Sequence, residues 1–224
     1  MKNLPWMAGA CVLLMSACTP VVFESPQPEN VPALKAFPAA FIGTYENDGD
    51  TLWVSSASYV YLDCEETLVD RDSLDGKTRL IRDGLFYDLT DNPDHGHNWS
   101  PSGDTAIAVK YCKSDTQALG KELILKQYED QYFLSMRDEE HAGWSVALLE
   151  RERNGRGKFT ALIPDGESET ELQVLHHVMK VDTVKNDDGG VNHYRVSPRP
   201  AQLMQYLDEG GFTKVYLSMK PVRN

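Results

Sequence analysis

No catalytic signature is present in this chain. There is no G-x-S-x-G, no H-E-x-x-H, no S-x-x-K and no glycine loop of the kind that cradles phosphate. A triad can still be assembled by geometry from distant residues, so an unrecognised hydrolase stays open as an alternative. No cofactor motif is present either, and no cofactor is expected. Positive charge is scarce: 22 Lys and Arg stand against 34 Asp and Glu, a net charge of -12. So acidic a chain repels nucleic acid, and no nucleic-acid partner is expected. Cysteine is limited to four residues, with no C-x-x-C spacing to suggest a redox pair. No repeat or low-complexity tract stands out.

What is there begins at the N-terminus. Met1 and Lys2 give a positive start, an apolar run extends from Leu4 to Ala17, and Cys18 follows. These are the parts of a secretory signal over residues 1–17. The run is shorter than the roughly 20 residues a spanning helix needs. Met15-Ser16-Ala17-Cys18 resembles the lipobox of bacterial lipoproteins, although that family prefers Leu where Met15 stands. The resemblance implies cleavage before Cys18 and a lipid on Cys18. With Thr19 rather than Asp following, it also implies the outer membrane, on a periplasmic or surface face that the sequence leaves undetermined. The alternative is an ordinary secretory signal that leaves Cys18 a free thiol. Loss of residues 1–17 removes Lys2 and takes the balance to -13. Pro20, Pro26, Pro28, Pro32 and Pro38 then make residues 18–38 read as anchor plus extended tether, reaching up to roughly 60 Å.

Cys11 leaves with the signal and Cys18 would carry lipid, so Cys64 and Cys112 remain. An even pair in an oxidising compartment is expected to form a disulfide, two separate buried thiols being the alternative.

Residues 39–163 read as an antiparallel β domain. Asn47-Asp48-Gly49-Asp50, Asp83-Gly84, Glu129-Asp130 and Asn154-Gly155 each separate two short apolar runs, and Asn-Gly and Asp-Gly tolerate the positive φ of tight hairpins. Trp144, Val146 and Leu148 alternate with Ser145 and Ala147, and Tyr59 and Tyr61 share a face opposite Val60, Leu62 and Cys64. The fold expected is mainly β, an antiparallel meander closing into a barrel or sandwich. Residues 164–224 read as an α+β lobe packed on it. Ser168 and Glu171 form a capping-box pattern ahead of a helix with Leu172, Leu175 and Met179. A second helix from about Pro200 to Glu209 buries Leu203, Tyr206 and Leu207 and ends at Gly210.

Phe41-Ile42-Gly43-Thr44-Tyr45 followed by Asp50-Thr51-Leu52-Trp53-Val54 resembles the first hairpin of lipocalin-like lipoprotein domains. Ser197–Pro200, Gln202-Leu203, Tyr206-Leu207, Gly211-Phe212 and Val215 are similar to the closing element of Bacteroidota-type outer-membrane lipoproteins. The first resemblance implies a lipocalin-like barrel, and the second family has no settled function to transfer.

The sharpest polar cluster is Asp91-Asn92-Pro93-Asp94-His95-Gly96-His97. His-x-His places two imidazoles on one side of an extended segment, where an aspartate could complete a zinc or copper site. A solvated turn is the plainer reading, so no metal is assigned and His95 and His97 stand as weak candidates. Asp70–Gly76 departs from a calcium loop at Leu74 and Gly76 and reads as an acidic turn. Arg151, Arg153, Arg156 and Lys158 form a basic hairpin tip, His176-His177 lie on different helix sides, and His141 and His193 stand alone. The function expected is a non-enzymatic ligand-binding or assembly module. It would hold a small apolar ligand or dock on another envelope protein. Metal handling through His95 and His97 is the first alternative. Tyr45, Trp53, Tyr59, Tyr61, Trp99 and Trp144 are the aromatics able to line a ligand site, most of them expected in the core.

Overall fold

The computed structural model of the chain describes residues 19–91, 93–151 and 158–222. The signal, the lipobox and Cys18 lie outside these residues, as do Arg153, Arg156 and the Asn154-Gly155 turn.

The elements are β1 (Val21–Phe23), β2 (Gly43–Asn47), β3 (Asp50–Val54), β4 (Ser58–Asp70), β5 (Arg79–Arg82), β6 (Leu85–Asp88), β7 (Asn98–Ser102), β8 (Ala106–Ala118), β9 (Leu123–Tyr128), β10 (Gln131–Asp138), β11 (Gly143–Arg151), β12 (Phe159–Ile163), α1 (Glu169–Val178), β13 (Val181–Lys185), β14 (Val191–Val196), α2 (Pro200–Asp208) and β15 (Lys214–Pro221). The protein is mainly β with few helices and a C-terminal α/β region, as the sequence led us to expect. One large mixed sheet runs β13-β14-β1-β11-β12-β15-β2-β3-β4-β8-β7, with β10 and β9 added beside β11, and β5-β6 forms a separate hairpin. Every described strand pair is antiparallel except β1 with β14.

Turn chemistry accounts for the tight hairpins. Asp48 and Gly49 both have positive φ between β2 and β3, and Asp83 and Gly84 repeat this between β5 and β6. Two successive positive φ values are the type I′ geometry that matches strand twist.

The sheet curls so that β10 faces β4 across an apolar interior. The two faces of β11 therefore enter different cores. Trp144, Val146 and Leu148 pack under α1 and α2 with Leu175, Leu203 and Phe212. Ala147 and Leu149 point the other way, toward Phe41, Tyr45, Leu52 and Phe159. A third, small cluster of Val69, Phe86, Ile107 and Val109 sits far along the β4–β8 ribbon.

Two expectations about organisation need correction. Residues 21–38 are not a free tether. Val21, Val22 and Phe23 are buried, and β1 lies between β14 and β11. The Lys126 ammonium donates to the carbonyls of Pro26 and Pro28 at 2.7 and 2.9 Å. Proline lacks a donor but keeps its acceptor, so a buried lysine suits this stretch. Burying Val21, Val22 and Phe23 at roughly 1.5–3 kcal/mol each holds the stretch on the sheet, and the extended backbone that the prolines favour is compatible with that path. Residues 164–224 do form the expected α+β region, but it is joined to the β domain through the sheet rather than only packed on it. β15 lies between β12 and β2, and β14 pairs with β1, so the C-terminal strands complete the same sheet.

The capping box is half realised. Ser168 Oγ accepts from Glu171 N–H at 3.3 Å. The Glu171 carboxylate turns inward instead, where it accepts from Tyr206 O–H, Phe212 N–H and the Thr213 side chain and backbone. A buried carboxylate with this many donors ties α1 to the chain between α2 and β15.

Candidate functional site: an apolar pocket inside the curled sheet

The interior of the curl holds a pocket of about 260 Å³. Its walls come from β3 (Leu52, Val54), β10 (Leu134, Met136), β11 (Ala147, Leu149) and β12 (Phe159, Ala161), with Phe37 from the N-terminal segment. Space exists there because Ala147 and Ala161 stand where the neighbouring positions carry larger side chains. Ala161 lies opposite Leu149 in register, and Ala147 is the next inward residue along β11. The volume sits just below the usual range for small-ligand sites, from about 300 Å³ upward.

The polar lining is confined to Tyr59 and Tyr61 on β4, Asp115 on β8 and Tyr216 on β15. Tyr61 and Asp115 are direct cross-strand partners, as are Tyr59 and Gln117, so these four share one face. Tyr61 O–H donates to Asp50 Oδ2 at 2.8 Å, which fixes its ring, and Cys64 N–H donates to Asp50 Oδ1 at 2.9 Å. Burial, then the nearby Asp115 and Tyr216, push the Tyr59 hydroxyl up to about 12. Burial and the Asp50 hydrogen bond raise Tyr61 as well. Both hydroxyls therefore stay protonated donors at neutral pH. The register between β12 and β15 slips at Ala161/Leu162, from Leu217 to Val215, which leaves Tyr216 as the extra residue of a β-bulge. Tyr216 is 61% exposed while lining the pocket, so it stands at the opening.

Of the six aromatics singled out, Tyr59 and Tyr61 line this pocket. Tyr45 is buried beside Phe159, Trp144 belongs to the core under the helices, Trp53 is exposed, and Trp99 packs on the distal cluster. Tyr216 was missed because nothing in Lys214-Val215-Tyr216-Leu217 announces a bulge.

Cys64 and Cys112 are joined by a disulfide between directly opposed residues of β4 and β8. It sits just beyond Leu62, the last β4 residue that pairs with β3, and so staples the ribbon where it loses that third strand.

His95 and His97 do come together, with ring centroids 4.9 Å apart. Among the described residues no group of three His, Cys, Asp or Glu side chains is placed to hold a metal ion. His97 instead pairs its backbone with Phe86 and lays its ring 4.4 Å from Tyr111. Burial, with His95 beside it, holds its pKa below the usual histidine value. The Asp70–Gly76 segment is a turn: Asp75 accepts from the backbone of Lys77, Thr78 and Arg79.

His141 and His193 do not stand alone. Their rings meet at 4.9 Å, and His141 Nδ1 lies 2.9 Å from Asp138 Oδ2. Arg195 donates to the His141 carbonyl at 3.0 Å and reaches His193 Nε2 at 3.3 Å. Burial of Asp138 raises its pKa, but the hydrogen bonds from His141 outweigh this and hold it low. Burial, then His141 and Arg195, push His193 down. Ser145 Oγ reaches Asp138 at 3.5 Å rather than an imidazole, so the order of a hydrolytic triad is not met. The group latches the β10–β11 turn to β14 across β1. Fifty residues of separation and a parallel pairing hid it from the sequence. Compared with family models, curated proteins and solved structures, the chain matches none of them.

Proposed function

We propose that this protein is a lipid-anchored module of the bacterial outer membrane that holds a small apolar ligand and does no chemistry on it. The observation that carries the reading is the apolar pocket of about 260 Å³, with hydroxyl donors at one side. Apolar walls supply affinity, and a few convergent polar groups fix orientation. The anchor rests on the lipobox at Cys18, and the Cys64–Cys112 disulfide fits an oxidising compartment. No helix among the described residues is long and apolar enough to cross a membrane. Two residues, Thr19 and Pro20, separate Cys18 from β1, a reach of about 10 Å at most, so a lipid on Cys18 would hold the domain against the bilayer.

The test is a fluorescence titration with N-phenyl-1-naphthylamine, a neutral apolar probe. Saturable one-site binding that weakens at least tenfold in Ala147→Leu supports the reading. Absence of saturable binding to the wild-type protein refutes it.

A further inference from the structure

The pocket's polar side has a chemistry of its own. Three phenol rings, Tyr59, Tyr61 and Tyr216, gather at it with the carboxylate of Asp115. Among the described residues that line the pocket, none is cationic. Asp50 lies behind Tyr61 as its hydrogen-bond acceptor, and Asp63 adds a second negative charge close enough to act on Tyr61. Lys113, the nearest cation along that face of β8, is two positions beyond Asp115, opposite Asp63 and outside the lining. Aromatic faces carry negative charge at their centres, so a ring of them attracts a cation and adds little for an anion. Asp115 accepts from the Gln117 side-chain amide at 3.0 and 3.3 Å and keeps its negative charge, so a carboxylate head entering here would meet a like charge, whereas an ammonium would meet a counter-ion. The bulge at Tyr216 places the third ring at the opening, where a polar head would remain when an apolar body fills the space by Ala147 and Ala161.

We propose that the pocket selects ligands with an alkylammonium head on a short apolar body, the head lying among Tyr59, Tyr61 and Tyr216 beside Asp115. This rests on the ligand-binding reading and names its ligand class. At about 30 Å³ for each water-sized group, the pocket takes a body of roughly nine such groups.

The experiment is isothermal titration of the purified protein with decyltrimethylammonium, decanol and decanoate below their micelle concentrations. Tetramethylammonium is the control for attraction to the acidic surface. The expected order is the cation first, with at least about tenfold tighter binding than decanoate, and no measurable binding of tetramethylammonium. Asp115→Asn and Tyr216→Leu each reduce the preference to about threefold or less, and Ala147→Leu weakens all three chains. Equal affinity for the three heads overturns the cation selectivity and leaves the apolar pocket standing. Cation binding that Ala147→Leu does not change means surface attraction and also overturns the proposal. No binding by any chain refutes the ligand-binding reading itself.

Discussion

Substituting Ala147 by leucine gives opposite results for an open pocket and for a filled core. Ala147 is fully buried, on the strand at the centre of the sheet, and lines the pocket. Leucine adds three carbons. Into free space, these contribute up to about 2.4 kcal/mol at about 0.8 kcal/mol per buried methylene. Ordering the side chain costs about 0.5–1 kcal/mol, leaving a gain of about 1.5 kcal/mol. In a domain of this size, 1 kcal/mol moves Tm by about 2–4 °C, so Tm should rise by about 3–6 °C. If the space were already filled by relaxed neighbours, the same change would overpack the interior and cost about 1–3 kcal/mol. Differential scanning calorimetry on both proteins decides the sign. A fall in Tm of several degrees would refute the account of the pocket as free volume flanked by Ala147 and Ala161.

Three further outcomes follow from the packing and charge. Replacing Cys64 and Cys112 together by serine should cost about 4 kcal/mol in urea unfolding, the chain-entropy value for residues 48 apart, and a loss under 1 kcal/mol would contradict the stapling role. At Gly143 an added methyl would sit 2.3 Å from Val22 Cγ1 and 2.9 Å from the Phe23 carbonyl, so Gly143→Ala should destabilise by about 2 kcal/mol and open residues 21–30 to protease. His97 and His193 are held below the usual histidine pKa, so the unfolded chain takes up protons first as pH falls through about 6.5. Their contribution is therefore complete at pH 7.5 and shrinks on acidification. The stability difference between wild type and His193→Gln should narrow from pH 7.5 to 5.5, and a widening gap would reverse the sign argued here. The depressed pKa values of Asp88 and Asp138 add a second loss, confined to pH below about 4.

Much of the local structure was legible in the chain. Asp48-Gly49 and Asp83-Gly84 specify their hairpins through positive φ. The alternation at Trp144–Leu148 correctly assigned two faces, although only the structure reveals that both are buried. Gly210, with φ of 96°, ends α2 where the stripe of Leu203 and Tyr206 stops. Long-range placement was not legible. Val21–Phe23 is too short a run to outweigh five prolines by inspection, yet it fills a central gap in the sheet. The insertion of β15 between β12 and β2 depends on partners more than 50 residues away. The pocket depends on the curl and on one bulged residue. The Asp138–His141–His193–Arg195 latch depends on β14 lying parallel to β1.

The account's central claim, an anchored protein that carries a small apolar ligand, is met most directly by native mass spectrometry of the protein extracted from membranes. The predicted spectrum carries a lipid-sized covalent increment that Cys18→Ala removes. It also carries a non-covalent small molecule that Ala147→Leu removes. A wild-type protein with neither increment would contradict both the anchor and the ligand.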